Sequence, residues 1–402
     1  MTMNSWSTFH SNYKSEYDLN EDQLNFNEIK KKLLDAKIIK INGQSLQFYY
    51  PYVYFYFTAQ YLAKKIHKED VQLEIKFLCY NLQLSENADI IMFLTHLSKD
   101  PLVSELVVKA SEEIFNDLEP IKLEGDISII NDLIKEIPQL VLEDINVKEH
   151  RNLRNEERDK IERESKYSQR EMAASTLEDE EEEIEVDISL KEAIEVIDQV
   201  NKGFKMIEII SQILKNFYGS LTSNEKVELC EVLFELGLRI NHRMVLELKQ
   251  DPEGLIQYIT TIIESNDIES NREKTERMVR NLLYSMAGFI TLHTLTKVAN
   301  SVGTPDLDNT FNKIKKIHPY TSIRLIDTSI KLEHYDHYPY EEITNLYKDV
   351  RQNKIAVDIL RQMVKKYLYM FQTNYQTRQK ISKSVGIILS PQFLVKLNDN
   401  KK

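Results

Sequence analysis

Glycine and proline are scarce in this chain of 402 residues, with nine of each. Average usage would place about 28 glycines in a chain of this length. The deficit disfavours α/β folds, whose strand-to-helix turns lean on glycine, and with abundant Ile, Leu, Lys and Glu it points to an almost all-helical protein. Cysteine is limited to Cys79 and Cys230, far apart and in apolar helical contexts. They make no metal-ligand spacing and read as reduced, buried thiols.

A positive charge excess is also missing. The formal charge of −12 argues against a broad nucleic-acid surface, which needs clustered Lys and Arg to release counterions. The opening MTMNSWSTFH has neither a basic nor an apolar signal-peptide region, and the longest aromatic stretch is interrupted by Pro51, Gln60 and Lys64 before it could cross a bilayer. The expectation is a cytoplasmic chain with no membrane partner. Catalytic signatures are absent as well: none of the glycines stands in G-x-x-x-x-G-K-[ST], and there is no G-x-S-x-G, H-E-x-x-H or C-x-x-C. The chain therefore reads as a non-enzyme without a cofactor.

What is present is 42% apolar and 29% charged residues, the balance of a globular protein long enough for two or three domains. Its most distinctive stretch is LQFYYPYVYFYFTAQYLAKKIH, residues 46–67. Leu46, Phe48 and Tyr50 alternate with Gln47 and Tyr49 at the period of a strand. Pro51 stops the ladder but suits the first turn of a helix. Beyond it Phe55, Ala59, Leu62 and Ile66 recur at helical spacing, flanked by Tyr54, Phe57 and Tyr61, with Gln60, Lys64 and Lys65 opposite. An aromatic stripe of this kind packs a core in the ordinary case.

Around it, Trp6, Phe9, Tyr13 and Tyr17 have roughly helical spacing, and 25–39 carries a clearer helix through Phe26, Ile29, Leu33 and Leu34. Ile39 and Ile41, Asn42-Gly43, then Leu46 and Phe48 predict a β-hairpin with Asn-Gly at the positive-φ positions of a type I′ turn. Helix, hairpin and aromatic helix make a small winged-helix-like unit. Lys30, Lys31 and Lys32 form a basic run on its second helix, read as a solvated face.

The order aromatic strand, Tyr/Phe-rich turn and Y-F-x-A-x-Y-L resembles the segment that closes the winged-helix region of bacterial STAND-type (NACHT-like) P-loop NTPases. Phe48, Tyr50, Tyr52, Tyr54, Tyr56, Phe57, Ala59, Tyr61 and Leu62 carry the resemblance, which extends more loosely from about Tyr13 to about Asp159. Without a phosphate loop the chain would correspond to the winged-helix and helical part of such a protein, separate from the NTPase core. The resemblance implies ligand sensing, autoinhibition or oligomerisation, in bacterial antiphage defence among other settings, and a protein partner: a P-loop ATPase module or a second copy. Tyr52, Tyr54 and Tyr56 are the candidate partner-binding residues.

The remainder predicts helices. Residues 71–82 carry Leu73, Phe77 and Tyr80; 87–98 carry Ile90, Ile91, Phe93, Leu94 and Leu97; Pro101 opens a helix through Phe115, and Asp126 begins another to Ile137. From 147 to 187 charges dominate, ending in the acidic run EDEEEEIEVD from Glu178, which reads as a linker. A second helical domain follows: Ile194, Ile197, Phe204, Ile207, Ile210 and Leu214 at helical intervals, a helix capped by Ser223, then helices near 255–265, 272–299, 309–317, 321–332, 341–351 and 355–372. The expected architecture is mostly α: a winged-helix-like unit at 1–67, a helical domain at 68–146, the linker at 147–187 and a solenoid-like helical domain at 188–402.

Two alternatives stand beside the interaction reading. One is a winged-helix DNA-binding regulator, opposed by the net acidity. The other is a metal-dependent hydrolase built on Glu333, His334, Asp336 and His337, where the two histidines stand at i, i+3. That run ends at Pro339 with no third histidine nearby and reads better as a polar aromatic loop.

Overall fold

Local capping chemistry sets several helix starts in the computed structural model, which describes residues 2–43, 45–98, 100–157, 159–160, 188–265 and 271–390. Asn25 accepts from Glu28 N, Asn271 from Lys274 N, Asn353 from Ala356 N and Asn374 from Thr377 N, each satisfying a donor that has no partner within its helix. The protein is mostly α, with two small two-stranded sheets among the described residues. No helix among the described residues is long and apolar enough to cross a membrane. The backbone divides into two compact units, Met1–Ala110 and Ser111–Lys402, and the division falls inside the 68–146 block of the sequence reading.

In the first unit, Met3–Glu16 and Phe26–Asp35 are helices, with the Trp6 and Phe26 rings 4.7 Å apart. Strands β1 (Ile39–Asn42) and β2 (Ser45–Phe48) pair antiparallel, Asn42 opposite Ser45. The expected hairpin is there, but its turn differs. Asn42 belongs to the strand and lacks a positive φ, so Gly43, at φ +58°, takes the left-handed conformation. Tyr49 N donates to Ile38 O at 2.8 Å, and the chain then enters the Pro51–Lys64 helix with Pro51 in its first turn. That helix packs closely on Ser85–Leu97, against which Glu69–Tyr80 also rests. Ala59, Leu62, Val71, Ile75, Leu78, Ile91 and Leu94 form the core. Leu73 and Phe77 do not: they are 68% and 58% exposed, because Glu69–Tyr80 is apolar on both sides and turns Val71, Ile75, Leu78 and Cys79 inward.

The second unit is built on three long helices, Ile188–Asn216, Ser223–Gln250 and Arg272–Val302, which pack against one another, with Thr321–His334 and Lys354–Met370 on the third. Gly237 marks a close crossing, since a Cβ there would lie 2.4 Å from Val298 Cγ2. Ile207, Ile210 and Leu214 are buried as expected, whereas Ile194 and Ile197 are exposed. Thr222, rather than Ser223, caps the second long helix; it forms a capping box with Glu225, the reciprocal pair of bonds that only the residue three before the glutamate can make.

Residues after Ser111 are held by chain more than 200 positions away. Asn353 Nδ2 donates to Leu123 O at 2.7 Å, Lys354 Nζ to Asn131 O at 2.9 Å and Ile134 O at 2.6 Å, and Tyr369 Oη accepts from Glu143 N at 3.0 Å. Strand β3 (Val141–Leu142) pairs parallel with β4 (Ile388–Leu389). The helix expected over 126–137 shortens to a 3-10 turn at Gly125–Ile127 and helix Ser128–Asp132, because Asp126 spends its carboxylate on the backbone amides of Lys122 and Glu124, both at 2.7 Å, and Lys354 takes up the carbonyls that follow. The acidic run from Glu178 to Asp187 lies outside the described residues. Both cysteines are free and buried, and burial pushes the Cys79 thiol up to about 12.

Candidate functional site

The exposed aromatic residues of the first unit follow from the strand-to-helix junction. Tyr49 and Tyr50 are still extended when Pro51 fixes the first helical φ, so the rings of the junction splay outward instead of alternating into a sheet. Tyr50 and Tyr52 stack at 5.4 Å with their planes 17° apart, and Tyr49 meets Tyr50 edge-on at 4.7 Å. Along the helix, Tyr52 is 56% exposed and Tyr61 52%, and Tyr56 and Phe57 are also exposed. Tyr56 sets its ring edge against Phe93 at 6.0 Å, so it is anchored at one side and open at the other.

The helix separates the three candidate tyrosines. Tyr52 and Tyr56, four residues apart, share one face. Tyr54 points to the other side, where Phe48 lies 5.7 Å away, and lines a groove of about 520 Å³ with Trp6, Leu33, Ile39, Leu46, Phe48 and Phe57. Burial, then the charge of Glu86, pushes its phenol above the ordinary tyrosine range. Phe55, placed inward by its spacing, is only half-buried; Ala59 and Leu62 carry the packing on that side. In this helix the stripe is thus core at Ala59 and Leu62 and open at Tyr52, Tyr56, Phe57 and Tyr61. Leu73 and Phe77, which the sequence marked as apolar positions of their helix, add a second exposed apolar pair, since a helix apolar all round gives no signal for which face is covered.

The second unit holds the clusters of ionisable groups. The Glu333–His337 run does not converge on one point. Glu333 pairs with Lys366, the His334 ring packs over Gly303, Tyr335 Oη donates to Asp308 Oδ1 at 2.7 Å, and His337 is exposed. Burial pushes His334 below the usual histidine range, which fits a packed neutral ring. Among the described residues, the histidine and carboxylate ligand atoms that do converge belong to Glu231, Glu235 and His318, all within 4.8 Å of one another. Glu231 and Glu235 stand one turn apart on Ser223–Gln250, and His318 ends the Asp308–Ile317 helix. His318 Nε2 hydrogen-bonds Glu231 Oε1. The three border a cleft of about 100 Å³ shared with Glu119, Lys122 and Tyr320. Burial and then the Glu231 charge push the Glu235 carboxyl above the ordinary glutamate range. The sequence held one local clue to this group, the Glu-x-x-x-Glu spacing, and none to the histidine 87 residues away.

Comparison with known proteins bears on the first unit. Residues 4–58 match the family model described as Novel STAND NTPase 4. That segment is a STAND-type NTPase-related region; it includes Phe48, Tyr50, Tyr52, Tyr54, Tyr56 and Phe57 and stops just short of Ala59, Tyr61 and Leu62. No curated protein and no solved structure matches the chain.

Proposed function

We propose that this chain is a non-enzymatic sensor and interaction component of a STAND-type NTPase system, and that the Tyr52–Tyr56 face of its first unit docks on a P-loop ATPase module. The carrying observation is that the segment similar to an NTPase family has a single glycine, Gly43, and so no phosphate loop, yet it presents a row of exposed aromatic rings. Tyrosine suits a docking surface because it brings large contact area with few rotatable bonds and a hydroxyl that tolerates a half-wet interface. In this reading the helix–hairpin–helix order is a winged-helix-like scaffold, and docking holds the ATPase closed until a ligand is sensed, a logic suited to antiphage defence.

The test looks first for an adjacent reading frame that encodes a P-loop ATPase and pairs its purified product with the chain. Tyr52→Ala and Tyr56→Ala together are expected to weaken that association at least ten-fold, with the melting temperature almost unchanged. Mg-ATP is expected to give no binding heat with the chain alone. Micromolar ATP affinity, or association indifferent to both tyrosines, would overturn the proposal.

A further inference from the structure

We propose that Glu231, Glu235 and His318 form a binding site for a divalent transition-metal ion of the zinc class, with open coordination positions facing the cleft beside Tyr320. The inference stands on the second unit alone and is independent of the function proposed for the first.

The donor set is a mixed one, an imidazole nitrogen and two carboxylates, supplied by two helices. Glu231 and Glu235 are set by the i, i+4 geometry of one helix, which puts their carboxylates on the same side. His318 is tied to the end of the other helix by its backbone N–H, which donates to Ile314 O at 2.8 Å, and its ring is flanked by Tyr320 at 5.7 Å. It is Nε2 that faces the carboxylates, leaving Nδ1 to carry the ring proton when a metal binds. The ligand atoms lie within 4.8 Å of one another, so modest side-chain rotation brings them to the metal–ligand distances of about 2.0–2.2 Å that zinc requires.

The neighbouring cations do not fill this place. Arg239 is engaged by the carbonyls of Ser111 and Glu112 at 2.9 and 3.1 Å, and the Lys122 ammonium sits over the Tyr320 ring at 4.8 Å. Among the described residues no lysine or arginine forms an ion pair with Glu231 or Glu235; the one ion pair here joins Glu231 to His318. Two half-buried carboxylates therefore face each other, with Glu119 on the same cleft, and of the two it is Glu231 that hydrogen-bonds the imidazole. Arg239, one turn along the helix, offsets part of the Glu235 charge, and a dication would relieve the repulsion that remains between the two carboxylates. On binding, Nε2 gives up its proton while Nδ1 takes one from solvent, so the ring stays neutral; the two carboxylates and Nε2 donate to the metal, and water completes the shell. A nitrogen donor favours zinc, cobalt or nickel over magnesium, which takes oxygen ligands and sheds its waters reluctantly.

The experiment is calorimetric titration of the chelator-treated full chain with zinc chloride, and with magnesium chloride as the contrast. One saturable zinc site of micromolar affinity is expected, and no competition by magnesium. Glu235→Gln and His318→Gln should each weaken it at least ten-fold, with circular dichroism reporting that both variants fold. Titration with cobalt(II) gives a second readout, visible d–d absorption of a low-coordinate site in the native chain that is lost in either variant. Absence of saturable zinc binding by the native chain, or unchanged affinity in the Glu235→Gln/His318→Gln double variant, would overturn the proposal.

Discussion

Lys315 Nζ donates to Asp327 Oδ2 at 2.7 Å, joining helix Asp308–Ile317 to helix Thr321–His334. The Asp327 carboxylate is almost wholly buried, and burial pushes it above the usual aspartate range against the pull of Lys315 and Lys331. Lys331, one turn along, lies 3.4 Å from the same oxygen and reaches Glu342 at 2.5 Å, so the network ties a third helix, Tyr340–Asp349, to the pair. A buried charge of this kind persists only because opposite charges and hydrogen bonds meet it.

Lys315→Met should therefore cost about 1.5–3 kcal/mol, the usual worth of a hydrogen bond to a charged group. In an Asp327→Asn background the same change should cost less than half as much, since the buried charge is gone. Urea denaturation of the four proteins measures the coupling; equal costs in both backgrounds would show that the two residues act independently.

Glu208 predicts how the second unit responds to acid. Burial raises its pKa, but the hydrogen bond from Lys297 and the charges of Lys205, at 3.2 Å, and Lys297 outweigh it, and the net shift is downward. A carboxyl with a depressed folded pKa contributes stability above its unfolded value, about 4.3, and that contribution is lost as pH falls through the lower folded value. Glu208→Gln should thus lower the denaturation midpoint at neutral pH, and the gap from wild type should close in acid. A gap that stays constant on acidification would refute the assignment.

Within the aromatic helix, covered and open positions should separate by stability. Leu62 is 3% exposed, and Leu62→Ala should cost about 2–5 kcal/mol. Phe55→Ala should cost less, because Phe55 is only half-buried. Tyr52→Ala should stay within about 0.5 kcal/mol, as exposed substitutions do. Thermal melts of the three variants side by side check the order, and equal shifts would mean the face is not divided as described.

Much of the helical layout was legible because its causes are local. Pro51 stands in the first turn of its helix as expected, Thr321, Arg272 and Lys354 begin helices within a residue or so of their expected starts, and Asn271 and Asn353 cap within three residues of themselves. The residue types in the Phe48–Phe57 stretch likewise carried their family resemblance without any fold. What only the tertiary structure decided lies at longer range. Leu73 and Val71 are equally apolar in sequence, yet one is open and the other buried, since a helix apolar on two sides is oriented by whichever neighbour reaches it. The hairpin turn moved by one residue because cross-strand register, Asn42 against Ser45, outranks the local preference of Asn-Gly. Glu231 and His318 meet for a comparable reason: the Ser223–Gln250 and Asp308–Ile317 helices pack together, and no spacing in the chain encodes a contact that the burial of apolar surface between two helices creates.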